Sequence, residues 1–170
     1  MRAKNNPATS TFGHNLVITR EFDAPQELLW KAWTEPGQIK TWLGLGEGVT
    51  IKSVKVDLRT GGKFRIQTKI ANGEFFTVAG TYLEVKTPER LVYTWDWEKD
   101  GGGMEFGELE GQESQVTVEF RASGKRTLLV LTHEKFASIG SRDRHEEGWQ
   151  IWMGKFAKFI AAEQGAHKLK

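Results

Sequence analysis

The sequence contains no cysteine among its 170 residues, and that absence removes several kinds of chemistry. Disulfide frameworks, thiolate-bound metals and cysteine nucleophiles all require this side chain. Long hydrophobic runs are also missing, since no stretch approaches the ~18 apolar residues of a membrane span. The first 15 residues, MRAKNNPATSTFGHN, lack the apolar segment of a signal peptide. We therefore expect a cytoplasmic protein that does not cross a membrane.

An excess of either charge is missing as well. Lysine and arginine total 24 against 22 acidic residues, and no basic block is dense enough to predict a nucleic-acid partner. The four histidines are scattered, and His145 has no second histidine at helical spacing, so we expect neither a metal nor a cofactor. Ser141, Asp143 and His145 have the residue types of a catalytic triad. Because capping at a predicted helix start explains the serine and the aspartate, we assign the three no catalytic role.

The clearest positive pattern is an amphipathic segment from Asp143 to Gln164. Plotted at 100° per residue, its bulky apolar side chains share one face: Trp149, Trp152, Met153, Phe156, Phe159 and Ile160. Asp143 with Glu146 is typical of a helix start, and Gly165 is typical of a helix end. The pattern predicts a helix from about Arg142 to Ala162, roughly 33 Å long, which needs a large apolar surface to lie against.

Strands and two short helices are predicted before that segment. Residues 1–14 are polar and are predicted to be a flexible leader, residues 15–164 a single domain and residues 165–170 a tail. Leu16 to Phe22 alternates as a first strand, and two short helices meeting at Pro36 follow it. From Val49 to Lys135 apolar residues recur at every second position between turn signals, which predicts six more strands. The fold class is therefore α+β, with a seven-stranded antiparallel sheet.

A glycine-rich and acidic segment, KDGGGMEFGELEGQE, interrupts this pattern at residues 99–113. It is too polar to pack in a core and too long for a tight turn. One interpretation is a solvated, disordered loop. The other is a mobile lid that uses Met104, Phe106 and Leu109 as its apolar contacts.

Short motifs along nearly the whole chain resemble one known family. The first of them are Phe22-Asp23-Ala24-Pro25, Leu29-Trp30, Ala32-Trp33-Thr34 and Trp42. The later ones are Asp57, Arg59, Gly61-Gly62-Lys63-Phe64, Gly80, Tyr82, Glu84-Val85, Pro88-Glu89-Arg90-Leu91-Val92, Trp95, Thr127, His133 and Gly148-Trp149. In this order they resemble the bacterial family named for activators of the heat-shock chaperone ATPase, within the START-like, helix-grip superfamily. The resemblance runs from Leu16 to about Ala161.

That resemblance implies a curved antiparallel sheet wrapped around the C-terminal helix, with a cavity between them. The wider superfamily uses this cavity for lipids, sterols, polyketides and plant hormones, and some of its members are cyclases or aromatases. The eukaryotic co-chaperones that give the family its name carry a further N-terminal domain. Only about 15 polar residues precede the first strand here, so we do not expect a chaperone partner.

The candidate binding residues are mostly aromatic and come from the predicted strands and helices. They are Trp33, Trp42, Phe64, Ile66, Tyr93, Trp95, Trp97, His133, Trp149, Trp152, Met153 and Phe156. Stiff, bulky aromatic rings suit the walls of an apolar cavity, although a fully packed core would use the same residue types. For His133 the alternatives are a structural histidine and a polar anchor in the cavity. Asp57 and Arg59 share a strand face and predict an ion pair beside the Gly61-Gly62 turn.

Three functions follow from these patterns. The leading one is non-enzymatic binding of a small apolar or amphipathic molecule. The second is a cyclase- or hydrolase-type enzyme that uses the same cavity, with Tyr93, His133 or a carboxylate of the 99–113 loop as acid or base. The third is a protein-interaction module that acts through the outer face of the sheet. An enzyme should place a titratable group with a perturbed pKa in the cavity, whereas a module should expose a contiguous apolar patch.

Overall fold

A single antiparallel sheet lies against three helices in the computed structural model, which describes residues 8–12, 14–98 and 113–168. The strands within those ranges are β1 Ala8–Phe12, β2 Asn15–Phe22, β3 Val49–Val56, β4 Lys63–Ile70, β5 Phe75–Lys86, β6 Arg90–Trp97, β7 Ser114–Ser123 and β8 Arg126–Glu134. The helices are α1 Gln26–Thr34, α2 Pro36–Leu43 and α3 Ile139–Lys168. The predicted α+β class and the long C-terminal helix are confirmed.

The strands follow the order β1-β2-β8-β7-β6-β5-β4-β3, and every neighbouring pair is antiparallel. Burial alternates along β7 and β8, because one face of the sheet packs against the helices while the other meets solvent. The register shifts between Ile51 and Ser53 in β3 and between Tyr82 and Glu84 in β5. Such bulges bend a strand and help the sheet to curve around α3.

The sheet has one strand more than the seven that were predicted. Ala8–Phe12, part of the predicted flexible leader, pairs with β2 from Ala8 opposite Thr19 to Phe12 opposite Asn15. Its residues, ATSTF, carry no alternation of apolar side chains. Backbone hydrogen bonds at the sheet edge hold such a strand, and hydrophobic patterning cannot detect them.

Helix α3 is longer than predicted at both ends. The Ser138 side-chain oxygen accepts a hydrogen bond from the Ser141 backbone N–H at 3.0 Å and so caps a helix that begins at Ile139, not near Asp143. Asp143 instead accepts a hydrogen bond from the Arg142 guanidinium at 2.8 Å. The helix continues through Gly165 to Lys168, into the predicted tail, because a glycine permits a helix end without forcing one.

The core lies between the concave face of the sheet and the three helices. Each helix buries one face, in accordance with the predicted periodicity, and α1 buries Leu29 and Trp33 while α2 buries Ile39 and Trp42. The Trp42 indole N–H donates to the Ala32 carbonyl at 2.8 Å and ties these two short helices together. The Lys155 ammonium on α3 donates to the Leu43 carbonyl at 3.0 Å, at the C-terminal end of α2, where a cation is favourable.

Helix α3 has the length of a membrane span, but charged residues recur along it, and no helix in the described ranges qualifies as a membrane-crossing segment. Apart from Glu113, the glycine-rich segment at 99–113 lies outside the described residues. The choice between a disordered loop and a lid therefore stays a prediction.

Candidate ligand-binding site

Trp95 on β6 is the centre of the aromatic cluster. Because side chains alternate along a strand, Tyr93, Trp95 and Trp97 point to the same side of the sheet, towards α3. Trp149 and Trp152 stand three residues apart on α3, and the centres of their rings lie 5.1 Å and 5.7 Å from that of Trp95. Strand and helix periodicity together therefore bring these candidates into one contact.

A small inner cavity borders this cluster, and its lining residues come from the sheet and from all three helices. Its volume is about 40 Å³. Its lining residues are Trp33, Ile39, Trp42, Leu43, Val56, Phe64, Ile66, Tyr82, Tyr93, Trp95, Trp149 and Trp152. A water molecule needs roughly 10–15 Å³ measured in the same way, so the cavity has room for a few waters and not for a ring system. Most of the predicted wall residues are here, but they nearly fill the space that they enclose.

A larger outer cleft shares three of those walls, Trp95, Trp149 and Trp152. Its volume is about 330 Å³, close to the lower end of the range for small-molecule sites. The remaining lining residues are Phe76, Trp97, Arg144, His145, Glu147 and Gly148. Of these, only Trp97 was among the sequence candidates. Helical spacing could have found two of the α3 members, because His145 and Gly148 lie four positions before Trp149 and Trp152.

His133 is a structural histidine with both ring nitrogens occupied. Its side chain is fully buried, the Trp149 indole N–H donates to Nδ1 at 3.0 Å, and the Ser114 hydroxyl lies 2.6 Å from Nε2. Because an indole N–H can only donate, Nδ1 is the acceptor and Nε2 carries the proton. Burial lowers the pKa of His133 well below its usual value, so the ring is neutral.

His145 holds the other ring tautomer. The Trp97 indole N–H donates to Nε2 at 2.9 Å, and Nδ1, 2.7 Å from the Ser141 carbonyl oxygen, carries the proton that is donated there. Burial lowers the pKa of His145 too, in spite of the bond to Ser141. The two neutral histidines thus fix the orientations of Trp97 and Trp149, which are walls of the cleft.

The other candidates lie outside both cavities. His133, Met153 and Phe156 border neither the inner cavity nor the outer cleft, and each is at most 1% exposed. The Phe156 ring lies in the core, with its centre 5.0 Å from that of Trp33 and 5.2 Å from that of Trp42. These three residues support the walls from behind.

The predicted Asp57–Arg59 ion pair is present, with a 2.9 Å separation and both side chains largely exposed. A Cβ atom added at Gly62 would lie 2.0 Å from the Asp57 carbonyl oxygen, so the turn beside this pair requires a glycine. Within residues 8–12, 14–98 and 113–168 no three histidine or carboxylate side chains are close enough to hold a metal ion.

The sheet that grips α3 defines a START-like, helix-grip protein. The chain belongs to the family of Activator of Hsp90 ATPase homolog 1-like proteins, whose model matches residues 23–161. No curated protein matches the chain.

Solved structures agree with that assignment. The AHSA1 protein from Silicibacter pomeroyi is 27% identical over 88% of this chain and 99% of its own, with a TM-score of 0.72. CalU16 from Micromonospora echinospora is 25% identical over 95% of this chain and 88% of its own, with a TM-score of 0.62. A Rhodobacter sphaeroides protein that is 20% identical covers 95% of this chain and 99% of its own with a TM-score of 0.77, which shows the fold alone.

Proposed function

We propose that the chain binds a small apolar or amphipathic molecule in the outer cleft, and that it does so without catalysing a reaction. The observation that carries this proposal is the cleft of about 330 Å³ whose walls include five aromatic side chains: Phe76, Trp95, Trp97, Trp149 and Trp152. Burying apolar ligand surface there yields roughly 25 cal/mol per Å², less the cost of association, so we expect micromolar affinity.

The sizes of the two spaces support the outer cleft as the place of the ligand. The inner cavity of about 40 Å³ is too small for a ring or a fatty-acid chain, whereas the cleft is several times larger. Arg144 and Glu147 stand at the cleft and supply a polar border of both charges. We therefore place the apolar body of the ligand in the cleft, against the tryptophans.

The buried tyrosines and histidines around these spaces argue against their use in acid–base catalysis. Burial raises the pKa of Tyr82 and of Tyr93, so both stay protonated at neutral pH. His133 and His145 are neutral, and both nitrogens of each ring already have partners within the protein. A general base needs a free lone pair within reach of the substrate, which the two histidines do not offer, and a protonated tyrosine hydroxyl is too weak a base to replace them.

An interaction module would need a contiguous apolar patch on the outside of the fold. The large apolar residues exposed in the described ranges are Leu58, Leu83, Ile139 and Ile151. Leu58 follows β3, Leu83 lies on β5, and the two isoleucines stand twelve positions apart on α3, about 18 Å along the helix. The separation of the two isoleucines supports a cleft ligand over a docking partner on α3.

Gly148 offers a direct test. It lines the cleft, and a Cβ atom added there would meet no atom within 4 Å, so a Gly148→Leu side chain can occupy the cleft without disturbing the core. Gly165→Leu is the matched control, because Gly165 lies on the same helix, has the same free space and borders neither cavity.

The assay titrates fatty acids and flat polycycles such as fluorene and 9-fluorenone, with tryptophan fluorescence and melting temperature as readouts. We expect at least one of these probes to change both readouts in the unmodified protein and in Gly165→Leu, and to bind at least tenfold more weakly to Gly148→Leu. A panel that leaves fluorescence and melting temperature unchanged would overturn the proposal. Native mass spectrometry of freshly purified protein would identify a ligand that copurifies.

A further inference from the structure

One buried hydrogen-bond donor at this site has no partner within the described residues. Four indole N–H groups of the core do have partners: Trp33 donates to the Tyr93 hydroxyl, Trp42 to Ala32, Trp97 to His145 and Trp149 to His133. The Trp95 indole N–H has none, although the residue is only 4% exposed. A buried donor without an acceptor is costly, and native proteins rarely leave one.

The position of Trp95 indicates where an acceptor can come from. Its ring borders both the inner cavity and the outer cleft, and it packs on its other sides against rings of Tyr93, His133 and Trp149. Both nitrogens of His133 are already bonded to other groups. Since none of the residues in the described ranges supplies an acceptor, we look for it in a molecule that enters the space that the ring borders.

A second donor stands beside the first. The Tyr93 hydroxyl oxygen accepts the Trp33 indole N–H at 3.3 Å, which turns the hydroxyl proton away from Trp33. Tyr93 lines the inner cavity, and its ring centre lies 6.4 Å from that of Trp95. Burial raises the pKa of Tyr93, so the proton stays in place at neutral pH. An oxygen atom with two lone pairs can accept from both groups.

We propose that the ligand presents a neutral carbonyl oxygen to the Trp95 indole N–H and the Tyr93 hydroxyl, while its apolar body fills the outer cleft. The ligand class is therefore an apolar ketone, quinone or ester. This inference rests on the proposed function, because it describes one end of the same ligand. The inner cavity of about 40 Å³ has room for such an oxygen but not for a ring.

The charge of the ligand follows from the residues around that oxygen. None of the residues that line the inner cavity carries a charged side chain. A carboxylate placed there would be buried without a cation, which is far more costly than burying a neutral carbonyl. A ligand that offers only hydrogen-bond donors would leave both protein donors unsatisfied. The cavity therefore selects for a neutral acceptor.

Three probes of one shape test this selection. Fluorene has no acceptor, 9-fluorenone adds a carbonyl oxygen, and fluorene-9-carboxylate adds a charge. We expect 9-fluorenone to bind the full-length protein about tenfold more tightly than fluorene, the range of one buried hydrogen bond, and the carboxylate to bind most weakly. Equal binding of fluorene and 9-fluorenone, or tightest binding of the carboxylate, overturns this inference and leaves the proposed function standing. Binding of none of the three overturns this inference, and it overturns the proposed function as well if the fatty acids also leave both readouts unchanged.

The role of the Trp95 indole N–H as a donor is tested by replacing that group with an atom that cannot donate. Benzothienylalanine incorporated at position 95 replaces the indole N–H with sulfur and keeps the shape of the ring, so folding is preserved. We expect the advantage of 9-fluorenone over fluorene to disappear in this variant. The same replacement at Trp30, which borders neither cavity, is the control and should keep that advantage. An advantage that survives at position 95 contradicts the assignment.

Nuclear magnetic resonance gives an independent readout on the unmodified protein. We expect the seven tryptophans to give separate indole N–H signals, and the loss of one signal in Trp95→Phe would assign the relevant one. We expect 9-fluorenone, and not fluorene, to move that signal downfield, since a new hydrogen bond deshields its proton. A signal that responds alike to both probes counts against a hydrogen bond.

Discussion

The face that α3 turns to the sheet carries aromatic side chains in both of its halves. In one half they form part of the closed core, and in the other half they border the outer cleft. Phe156 is fully buried, with the rings of Phe22, Trp33 and Trp42 around it. Trp152, one turn earlier, is only partly buried and borders the outer cleft. An aromatic residue on a helix face therefore becomes core or binding wall according to what lies opposite.

The two short helices account for the difference. Trp33 of α1 and Trp42 of α2 cover the Phe156 end, where they complete a set of edge-to-face aromatic contacts. At the other end, α3 residues such as Gly148 face β5 and β6 across the cleft, with Phe76 and Trp97 on the strand side. We call the Phe156 end of this face the closed end and the Gly148 end the open end. The closed end contributes mainly to stability and the open end to ligand binding, and mutations can test both statements.

Truncation of the closed end should have the largest effect. Phe156→Ala removes a fully buried ring and should lower the free energy of unfolding by about 3–5 kcal/mol. Trp152→Ala should cost about half as much, because part of that ring is already exposed, and yet it should abolish ligand binding. Urea denaturation followed by circular dichroism measures the first effect, and fluorescence titration measures the second. A Trp152→Ala variant that is less stable than Phe156→Ala would contradict the distinction between the closed and the open end.

Acid should weaken the protein through the two buried histidines. The folded pKa values of His133 and His145 lie below the unfolded value of about 6.5, so the unfolded chain binds more protons below that pH. Stability is therefore fully present above pH 6.5 and falls as the pH drops through the folded pKa values, by up to about 1.4 kcal/mol per pH unit for each histidine.

Urea denaturation between about pH 7.5 and 5.5 measures that slope. His145→Gln keeps an acceptor for the Trp97 N–H but cannot be protonated in this range, so it should remove about half of the slope. A stability that is flat across this range would show that the histidines do not remain neutral.

The smallest expected effects come from alanine substitutions at two glycines of α3. They distinguish a change in stability from a change in ligand binding. Gly148→Ala and Gly154→Ala should each raise the free energy of unfolding by about 0.5–1 kcal/mol, because alanine favours a helix and neither added Cβ meets an atom within 4 Å. Only Gly148 lines the cleft, so only its variant should weaken ligand binding, about twofold to threefold. Equal affinities for the two variants would remove Gly148 from the binding site.

Much of the fold followed from patterns in the chain. Period-two alternation in residues 49–135 located strands β3 to β8, and one apolar face located α3. The exceptions were β1, whose polar strand is held by backbone bonds, and the start of α3, where Ser138 acts as cap in place of Asp143. Neither depends on side-chain hydrophobicity, which is the quantity that periodicity measures.

The candidate site was predicted less completely. Aromatic composition pointed to Trp95, Trp149 and Trp152, which the structure brings together. It also pointed to Phe156 and Met153, which are core, and it passed over Phe76 and Gly148, which line the cleft. Composition records how much apolar surface a segment offers, but it does not record which part stays uncovered.

The sequence by itself determined the α+β class, the strand and helix periods, the family motifs and the absence of cysteine chemistry. Only the tertiary structure decided which aromatic rings form a closed core and which border an open cleft. It alone also decided that the buried indole N–H of Trp95 is left without an acceptor among the described residues. The reason is physical: periodicity is set by the local geometry of the backbone, whereas a void and an unpaired donor depend on every element that surrounds them.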